Sequence, residues 1–508
     1  MLSSPAHRAP MAIMTTRQDI ERLELWIGGE HTPSSSGKYF DDLDPTDDSV
    51  FCRVAEATSE DVNLAVGTAH EAFQSYRHTT PRQREQWLAK AADIIERDRD
   101  SIVDTIVTEN GSPIIKARFE TMAAADYIRS AAGITRRIVG ETHPSDNPGR
   151  MVMSVREPLG VVGSITPFNV PFLKAAKLSA GALATGNTVV GLASEFTPKS
   201  VLLMGRVYEE AGFPPGTFNV ITGFGADIGD SLTTHPLVRA ILFTGSSAIG
   251  KHISALCGKH MKRCVLELGG KSPSLVLADS DVDAAVDAAA MACFFFQGQG
   301  CMVTSRVLVE RPIFDEFVDK LRAKAEHAQQ HQMGDLRDPK TWVGPIISDR
   351  QRIRVRSHIE DARAKGATVV TGGEWVGNRC QPTILTGVRE GMTVFREETF
   401  GPVDAIYPVD GLEDGLALAN DTNYGLSAAV WTKDIDKAMH YARGIESGTV
   451  HINAATFYDE PHVPFGGVKD SGIGREGTEM DIEALTEWKL ITLQLPGERA
   501  FGAPAVMD

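Results

Sequence analysis

Residues 240–250 contain the pattern that decides the fold, Ala240-Ile241-Leu242-Phe243-Thr244-Gly245-Ser246-Ser247-Ala248-Ile249-Gly250. The apolar and β-branched residues predict a buried strand, and the Gly-Ser turn after them predicts the start of a helix. Similar runs precede it, each followed by a helix-compatible segment: Val161-Val162, Thr188 to Val190, and Phe218 to Thr222. Strands that alternate with helices predict a parallel sheet covered by helices on both faces.

A second alternation follows the first without a long Pro- or Ser-rich linker, so we expect the two α/β units to pack as one rigid body. Its helix is predicted to open at Ser280-x-x-Asp283. Its strands are predicted at Ser274 to Ala278, Val307 to Val309, Thr368 to Val370 and Ala428 to Trp431.

The N-terminal part of the chain is predicted to be mostly helical. Thr58-Ser59-Glu60-Asp61 matches a capping box, and Pro81 to Asn110 is rich in helix-forming residues. Residues 1–20 lack the apolar core of a secretory signal and are predicted to form a disordered leader. A transit peptide remains an open alternative, because residues 1–18 include Arg8 and Arg17 and no acidic residue.

Composition narrows the classes of function. The 508 residues are 42% hydrophobic and 23% charged, which is typical of a globular chain. A net charge of -16 opposes binding to nucleic acid and to anionic membranes. Six cysteines without a C-x-x-C pair predict neither a disulfide framework nor a zinc site, and they favour the cytoplasm. No apolar run approaches the roughly 20 residues of a membrane span.

Three segments contain residues suited to catalysis. Cys301 follows the flexible turn Phe296 to Gly300, which leaves a sulfur accessible. Glu267 lies in an apolar run, where burial raises the pKa of a carboxylate toward that of a general base. Asn169 follows a predicted strand and offers an amide donor. Taken alone, each residue has a structural alternative that remains open: Cys301 as a buried structural cysteine, Glu267 as a salt-bridged glutamate and Asn169 as an ordinary turn residue. The other cysteines are interpreted as buried and structural: Cys52, Cys257, Cys264, Cys293 and Cys380.

These three residues lie in motifs that resemble those of the NAD(P)-dependent aldehyde dehydrogenase superfamily. The resemblance spans roughly Leu25 to Leu495, and the motifs come in the family's order. They are Pro167-Phe168-Asn169, Gly186-Asn187-Thr188-Val189-Val190, Phe243-Thr244-Gly245-Ser246, Glu267-Leu268-Gly269-Gly270-Lys271-Ser272-Pro273, Gln297-Gly298-Gln299-Gly300-Cys301, Glu397-Glu398-Thr399-Phe400-Gly401-Pro402 and Pro464-Phe465-Gly466-Gly467.

The resemblance implies an α/β fold with a Rossmann-type NAD-binding domain, an α/β catalytic domain and a small β oligomerisation element. The implied boundaries are residues 21–137 and 158–266 for the NAD-binding domain, 267–482 for the catalytic domain, and 138–157 with 483–508 for the oligomerisation element. Met151 to Arg156 and Trp488 to Leu493 are the strand-like parts of that element. A homodimer or homotetramer is the implied assembly.

The resemblance also implies a covalent mechanism. The Cys301 thiolate attacks the aldehyde carbon, and the Asn169 amide with the Cys301 backbone N–H holds the oxyanion. Hydride transfer to the nicotinamide leaves a thioester, which water activated by Glu267 hydrolyses.

The implied cofactor is NAD, with NADP as the alternative. A carboxylate at Glu195 repels a 2′-phosphate and so favours NAD. The sequence departs from the family at Leu192 and Leu178, where lysines are usual, although Lys177 is adjacent. The implied cofactor-binding residues are Ile165, Pro167, Phe168, Ser194, Glu195, Gly225, Phe243, Thr244, Gly245, Ser246, Leu268, Glu398 and Phe400.

The predicted substrate is a small aldehyde, and no metal site is predicted. Phe168, the run Phe294 to Phe296 and the segment around Asp459 resemble the benzaldehyde, salicylaldehyde and vanillin dehydrogenase branch. An aliphatic or semialdehyde dehydrogenase, a CoA-acylating relative, a Cys/Glu (thio)ester hydrolase without NAD, and a non-enzymatic binding protein remain alternatives. The predicted pocket residues are Phe168, Phe172, Met302, Phe457, Tyr458 and Phe465.

Overall fold

A computed structural model describes residues 20–496 of the chain. Residues 1–19 of the predicted leader and residues 497–508 of the predicted oligomerisation element lie outside this described part.

Helices form where the sequence has capping residues and helical apolar spacing. The Thr58 side chain accepts a hydrogen bond from the Glu60 N–H, and Asp61 completes the predicted capping box. The predicted helical stretch Pro81 to Asn110 forms two helices that meet at Asp98, and Asp281 caps the helix predicted to open at Ser280. The helices are α1 Ser59–Tyr76, α2 Pro81–Arg97, α3 Arg99–Asn110, α4 Ile114–Ile134, α5 Pro171–Ala184, α6 Pro198–Ala211, α7 Gly225–Thr234, α8 Ser247–Lys259, α9 Val282–Phe294, α10 Phe314–His331, α11 Asp349–Ala364, α12 Thr393–Arg396, α13 Leu412–Asn420, α14 Ile435–Gly444 and α15 Thr478–Leu485.

The first α/β unit contains an eight-stranded sheet whose five central strands are parallel. All four strands predicted from the first alternation are present. Helices pack against both faces of this sheet through apolar clusters. One face packs against α2, α4, α5 and α6, and the other packs against α1, α7 and α8. In spatial order the strands are Gly472–Ile473, Arg263–Glu267, Val238–Thr244, Val161–Ile165, Thr188–Leu192, Phe218–Ile221, Leu25–Ile27 and Glu30–Thr32.

The second α/β unit contains a seven-stranded sheet that is parallel except for one edge strand. The strands predicted from the second alternation are again present, and helices cover both faces through two further apolar clusters. In spatial order the strands are Thr368–Thr371, Thr383–Thr386, Val403–Val409, Thr304–Glu310, Ser272–Val276, Ser427–Trp431 and Thr449–Ile452.

Three smaller sheets complete the described chain. The largest, which we call the arm, pairs Thr486–Gln494 with Arg150–Pro158 and Glu141–His143, all antiparallel. The strand-like segments predicted at Met151 and Trp488 thus pair with each other. The other sheets are Arg22–Leu23 with Ser49–Ala55 and Tyr39–Asp44, and Trp375–Val376 with Arg379–Cys380. Among residues 20–496, no helix is long and apolar enough to cross a membrane.

The strand register brings distant residues to one edge of the first sheet. Phe243 lies opposite Ile165, Ile165 lies opposite Leu192, and Thr244 lies opposite Glu267. Because these strands are parallel, their carboxyl ends open on the same side, where the segments after them can form a site. The strand Gly472–Ile473 returns to this sheet and pairs beside Glu267.

Candidate active site

Cys301 lies in a loop that follows α9 and is held by buried glutamines. Gln297 donates to the Pro345 carbonyl at 2.8 Å and accepts from the Gly344 N–H at 2.9 Å. Gly298 has a φ of +66°, and a Cβ there would lie 2.4 Å from the Gly401 carbonyl oxygen, so only glycine fits. These contacts hold the loop in a defined conformation, in which Cys301 is partly exposed.

Glu267 is buried at the carboxyl end of its strand. Its side chain is 2% exposed, and neither carboxylate oxygen has a hydrogen-bond partner within the described residues. Burial raises the pKa of Glu267 well above its usual value, and the charge of Glu476 adds to the rise, while Lys174 and Lys177 oppose it. A carboxylate with a raised pKa is a stronger base, which is the property required for activating water.

A buried ion network surrounds this base. Lys174 and Lys177, one turn apart on α5, bind the same Glu476 oxygen at 2.6 and 3.0 Å. Lys177 also binds Asp459 at 2.7 Å, and Asp459 accepts from the Tyr127 hydroxyl at 2.6 Å. Although burial acts against it, the two lysines hold the pKa of Glu476 below its usual value. The network therefore keeps fixed charges beside Glu267.

Asn169 is held by its backbone. Its carbonyl accepts from the buried Lys116 ammonium at 2.6 Å, and Lys116 binds Glu120 at 2.5 Å. Glu120 in turn accepts from the Phe172 N–H at 2.9 Å, which fixes the start of α5. The Asn169 side-chain amide forms no hydrogen bond within residues 20–496, so it is available as a donor.

The Cys301 thiol is electrostatically linked to these groups. Burial raises the pKa of Cys301 to about 12; Lys174 opposes the rise, whereas Glu267, Glu398 and Glu476 add to it. A thiol with this pKa is protonated at neutral pH, and the nucleophile is the thiolate. A Cys301 thiol acting as a nucleophile would require a proton acceptor, and Glu267 is a buried carboxylate whose charge acts on Cys301.

The cofactor-binding candidates of the first unit follow the carboxyl ends of parallel strands. Pro167 and Phe168 follow Ile165, Ser194 and Glu195 follow Leu192, Gly245 and Ser246 follow Thr244, Leu268 follows Glu267, and Gly225 starts α7. Ser246 caps α8 by accepting from the Ile249 N–H.

This edge fits a dinucleotide. The Ser246 hydroxyl caps Ile249, and among the described residues no acceptor binds the N–H groups of Ser247 and Ala248. Free N–H groups at a helix N-terminus bind phosphate, and the half-buried carboxylate of Glu195 can bind a ribose hydroxyl. A Cβ on Gly245 would lie 2.4 Å from the Phe243 ring, so a side chain at this position would have to displace that ring.

Glu398 and Phe400 approach this edge from the second unit. Glu398 Oε1 accepts from the Gly270 N–H at 2.9 Å, and burial raises the pKa of Glu398 to about 7. Phe400, with a φ of +55°, places its ring centroid 5.7 Å from that of Phe168. The structure therefore brings the candidates of both units together.

Part of the predicted substrate pocket surrounds Cys301. Met302, Phe457 and Phe465 pack with Cys301, together with Leu426, which the sequence analysis did not identify. Tyr458 is 51% exposed and turns its hydroxyl to Glu460. Phe172 is fully buried in the core of the first unit and does not join the Cys301 cluster.

Two other sequence features lie in apolar cores. Phe294 packs in a core cluster of the second unit, Phe295 packs on Trp342, and the Phe296 ring lies under the Lys116 ammonium at 4.1 Å. Leu192 and Leu178, at positions where the family usually has lysine, are both 2% exposed and packed in the first unit. The Leu192 side chain is therefore core and not a polar contact.

The network of Lys174 and Glu476 is not among the features predicted from the sequence. A signal was available, because two lysines one turn apart in the otherwise apolar α5 require a buried acidic partner. Nothing in the local sequence identifies Glu476 as that partner, since it lies 302 residues away.

Comparison with known proteins agrees with this geometry. Residues 31–491 match the profile of the aldehyde dehydrogenase family. The chain is 41% identical over 475 residues to vanillin dehydrogenase of Pseudomonas fluorescens, covering 93% of this chain and 98% of that protein. A salicylaldehyde dehydrogenase from Pseudomonas putida G7, solved with salicylaldehyde, has a TM-score of 0.90 at 36% identity, covering 95% of this chain and 100% of that chain. Betaine aldehyde dehydrogenase from Staphylococcus aureus, solved with NAD+, has a TM-score of 0.91 at 33% identity, covering 94% and 95%.

Proposed function

The chain belongs to the aldehyde dehydrogenase family, and from this premise we propose that it oxidises an aromatic aldehyde to the carboxylic acid with NAD. The observation that supports this most directly is the packing of Cys301 against apolar and aromatic side chains, together with a buried Glu267 that has no hydrogen-bond partner among residues 20–496. A thiol, a strong carboxylate base and an apolar wall are the parts required for covalent oxidation of a flat, apolar aldehyde.

In the proposed mechanism, Cys301 attacks the carbonyl carbon and its proton passes to Glu267. The Asn169 side-chain amide and the Cys301 backbone N–H donate to the oxyanion, and the Lys116 contact keeps the Asn169 backbone in place. Held by the edge that includes Glu195 and Ser246, bound NAD would supply the hydride acceptor for the substrate carbon. Glu267 releases the Cys301 proton to solvent, takes a proton from the water that attacks the thioester, and returns that proton to the departing Cys301 sulfur, which regenerates the thiol.

The proposed substrate class rests on the side chains around the thiol. Met302, Leu426, Phe457 and Phe465 form an apolar cluster that suits an aromatic ring. The relatives named for vanillin and salicylaldehyde support the same class. An aliphatic or semialdehyde substrate is the alternative that the assay must separate.

For the cofactor, we propose that Glu195 selects NAD. Its carboxylate is half-buried after the strand Thr188–Leu192, where it would repel the 2′-phosphate of NADP. Glu195→Gln is then expected to lower the KM for NADP by about tenfold, because about 1.4 kcal/mol of repulsion is removed. An unchanged NADP to NAD preference would contradict this role.

We further propose assembly through the arm and a cytoplasmic location. Trp488, Leu490 and Leu493 are 45%, 66% and 51% exposed on one arm strand, and apolar side chains grouped in this way are typical of an interaction surface. A homodimer or homotetramer would cover it. The six cysteines are all unpaired, which fits a reducing compartment.

The test follows NADH formation with benzaldehyde, vanillin and an aliphatic aldehyde, using NAD or NADP, in wild type and Cys301→Ala. We expect wild type to form NADH when it is given NAD and an aromatic aldehyde, and Cys301→Ala to form none. A preference for the aliphatic aldehyde would overturn the substrate class, and reduction by Cys301→Ala would overturn the mechanism. Ester hydrolysis without reduction of either cofactor would replace the proposed oxidation by a hydrolase function.

A further inference from the structure

A buried ion pair in the first turns of α4 contacts the segment that contains Asn169. Lys116 and Glu120 lie one turn apart, their side chains are 4% and 0% exposed, and the ammonium lies 2.5 Å from a carboxylate oxygen. The ammonium also donates to the Asn169 carbonyl at 2.6 Å and to the Asn110 side-chain oxygen at 3.2 Å. An ammonium has three donors, and here each has an acceptor, so its position is well defined.

Neighbouring contacts hold the chain on both sides of Asn169. Before it, Asn110 donates its side-chain amide to the Phe168 carbonyl at 2.5 Å. After it, the second Glu120 oxygen accepts from the Phe172 N–H at 2.9 Å, at the start of α5. A side chain starts from its own backbone, so these contacts determine where the Asn169 amide points.

Lys116 also contacts the loop that contains Cys301. Its ammonium lies 4.1 Å from the centre of the Phe296 ring, and Phe296 is 4% exposed. Phe296 has a φ of +52°, a left-handed conformation that is unfavourable for a residue with a Cβ. Attraction between the buried cation and the ring face offsets part of that cost. One ammonium therefore joins the Asn169 segment to the Cys301 loop.

We propose that Lys116 is a positioning residue that sets the separation between the Asn169 side-chain amide and the Cys301 sulfur. This inference rests on the proposed function, in which both groups meet the same carbonyl of the substrate. Lys116 acts through the Asn169 backbone on one side and through the Phe296 ring on the other, without reacting itself. A displacement of about 1 Å between reacting groups lowers a rate by roughly 10²-fold, so the contact affects catalysis.

The test compares two reactions of Cys301 in the cofactor-free enzyme. Acylation by p-nitrophenyl benzoate passes through an oxyanion, whereas alkylation by iodoacetamide forms none. The double variant Lys116→Met/Glu120→Gln removes both charges, and its new amide keeps an oxygen acceptor for the Phe172 N–H. We expect acylation to slow by about 10- to 100-fold. Alkylation should match wild type, because removing a positive and a negative charge together leaves the net charge near the thiol unchanged.

Asn169→Ala distinguishes positioning from a general structural role. Alone, it removes an oxyanion donor and should slow acylation by about 10²–10³-fold. Since Lys116 acts through Asn169, adding the double variant to Asn169→Ala should slow acylation little further. Tyr76→Phe is the matched control, because it removes a buried hydrogen bond to the Leu183 carbonyl in the same unit. It should lower the melting temperature and leave both reaction rates unchanged.

The outcomes separate this proposal from the proposed oxidation. Acylation of the double variant at the wild-type rate would overturn the role of Lys116, and so would equal losses in acylation and alkylation. Losses that multiply with Asn169→Ala would also overturn it. A wild-type enzyme that is acylated but forms no NADH from any aldehyde would contradict the oxidation alone. A wild-type Cys301 that is alkylated but not acylated would overturn both.

Discussion

Replacing Lys174 by methionine removes the buried positive charge that opposes the rise in the Cys301 pKa. Lys174 is 5% exposed on α5, and its ammonium lies 2.6 Å from a Glu476 oxygen. Methionine keeps an unbranched apolar side chain of similar length but carries no charge. The Cys301 thiolate then faces Glu476 and Glu267 with less compensation, so its pKa should rise.

The magnitude follows from the strength of one buried charge. An opposite charge nearby shifts a pKa by about one to three units, and we expect the lower end because Glu476 partly neutralises Lys174. One unit corresponds to about 1.4 kcal/mol and to roughly tenfold less thiolate at neutral pH. Lys177 remains 3.0 Å from Glu476, so the loss of unfolding free energy should stay below the about 3–5 kcal/mol of a fully broken buried pair.

The assay measures the rate of Cys301 alkylation by iodoacetamide as a function of pH in the cofactor-free enzyme. Lys174→Met should react roughly tenfold more slowly at pH 7, with its profile displaced to higher pH. Lys174→Arg keeps the charge and should stay close to wild type. Superimposable profiles for wild type and Lys174→Met would refute the electrostatic argument, and equal losses in both variants would show that side-chain shape is responsible.

Three further predictions concern other parts of the molecule. Glu267→Gln removes the proposed acceptor of both the Cys301 proton and the water proton, so NADH formation should slow by about 10²–10⁴-fold from the first turnover; rapid-mixing kinetics check this, and a first turnover as fast as that of wild type would contradict the role of Glu267 at Cys301. Burial raises the pKa of Asp481 from 3.8 to about 8, so the stability that the protonated carboxyl gives the folded state is lost as pH rises through about 8. The melting temperature of Asp481→Asn should therefore exceed that of wild type by more at pH 9 than at pH 5. An equal difference at both pH values would contradict this prediction. Leu490→Glu together with Leu493→Glu should reduce the oligomer to smaller species in light scattering, whereas Ile353→Glu, on a surface away from the arm, should not.

Much of the architecture follows from local sequence. Alternating short apolar runs and helical segments predict two parallel sheets, because side-chain periodicity depends only on neighbouring residues. The predicted strand at Ala240 to Thr244 and the helix capped at Ser246 are both present. The turn chemistry after each strand also identifies the edge at which a ligand can bind, since parallel strands end on one side of their sheet.

The sequence by itself also determined where to look for chemistry. Cys301, Glu267 and Asn169 lie in recognisable motifs: Cys301 follows a predicted turn, Asn169 follows a predicted strand, and Glu267 lies in an apolar run. What it left open was their electrostatic state. A glutamate in an apolar run is either paired or unpaired, and Glu267 is a strong base because it is buried and has no hydrogen-bond partner in the described part of the chain.

Tertiary structure decided the surroundings of these residues. Lys174 meets Glu476 across 302 residues of sequence, and Arg150–Pro158 pairs with Thr486–Gln494 across the length of the chain. Phe172 packs in the core of the first unit and not with Cys301, whereas Leu426 packs with Cys301. Such contacts depend on how whole helices and sheets pack together, which local periodicity cannot encode. They set the charge and shape of the site, because interactions between charges are stronger where water is excluded.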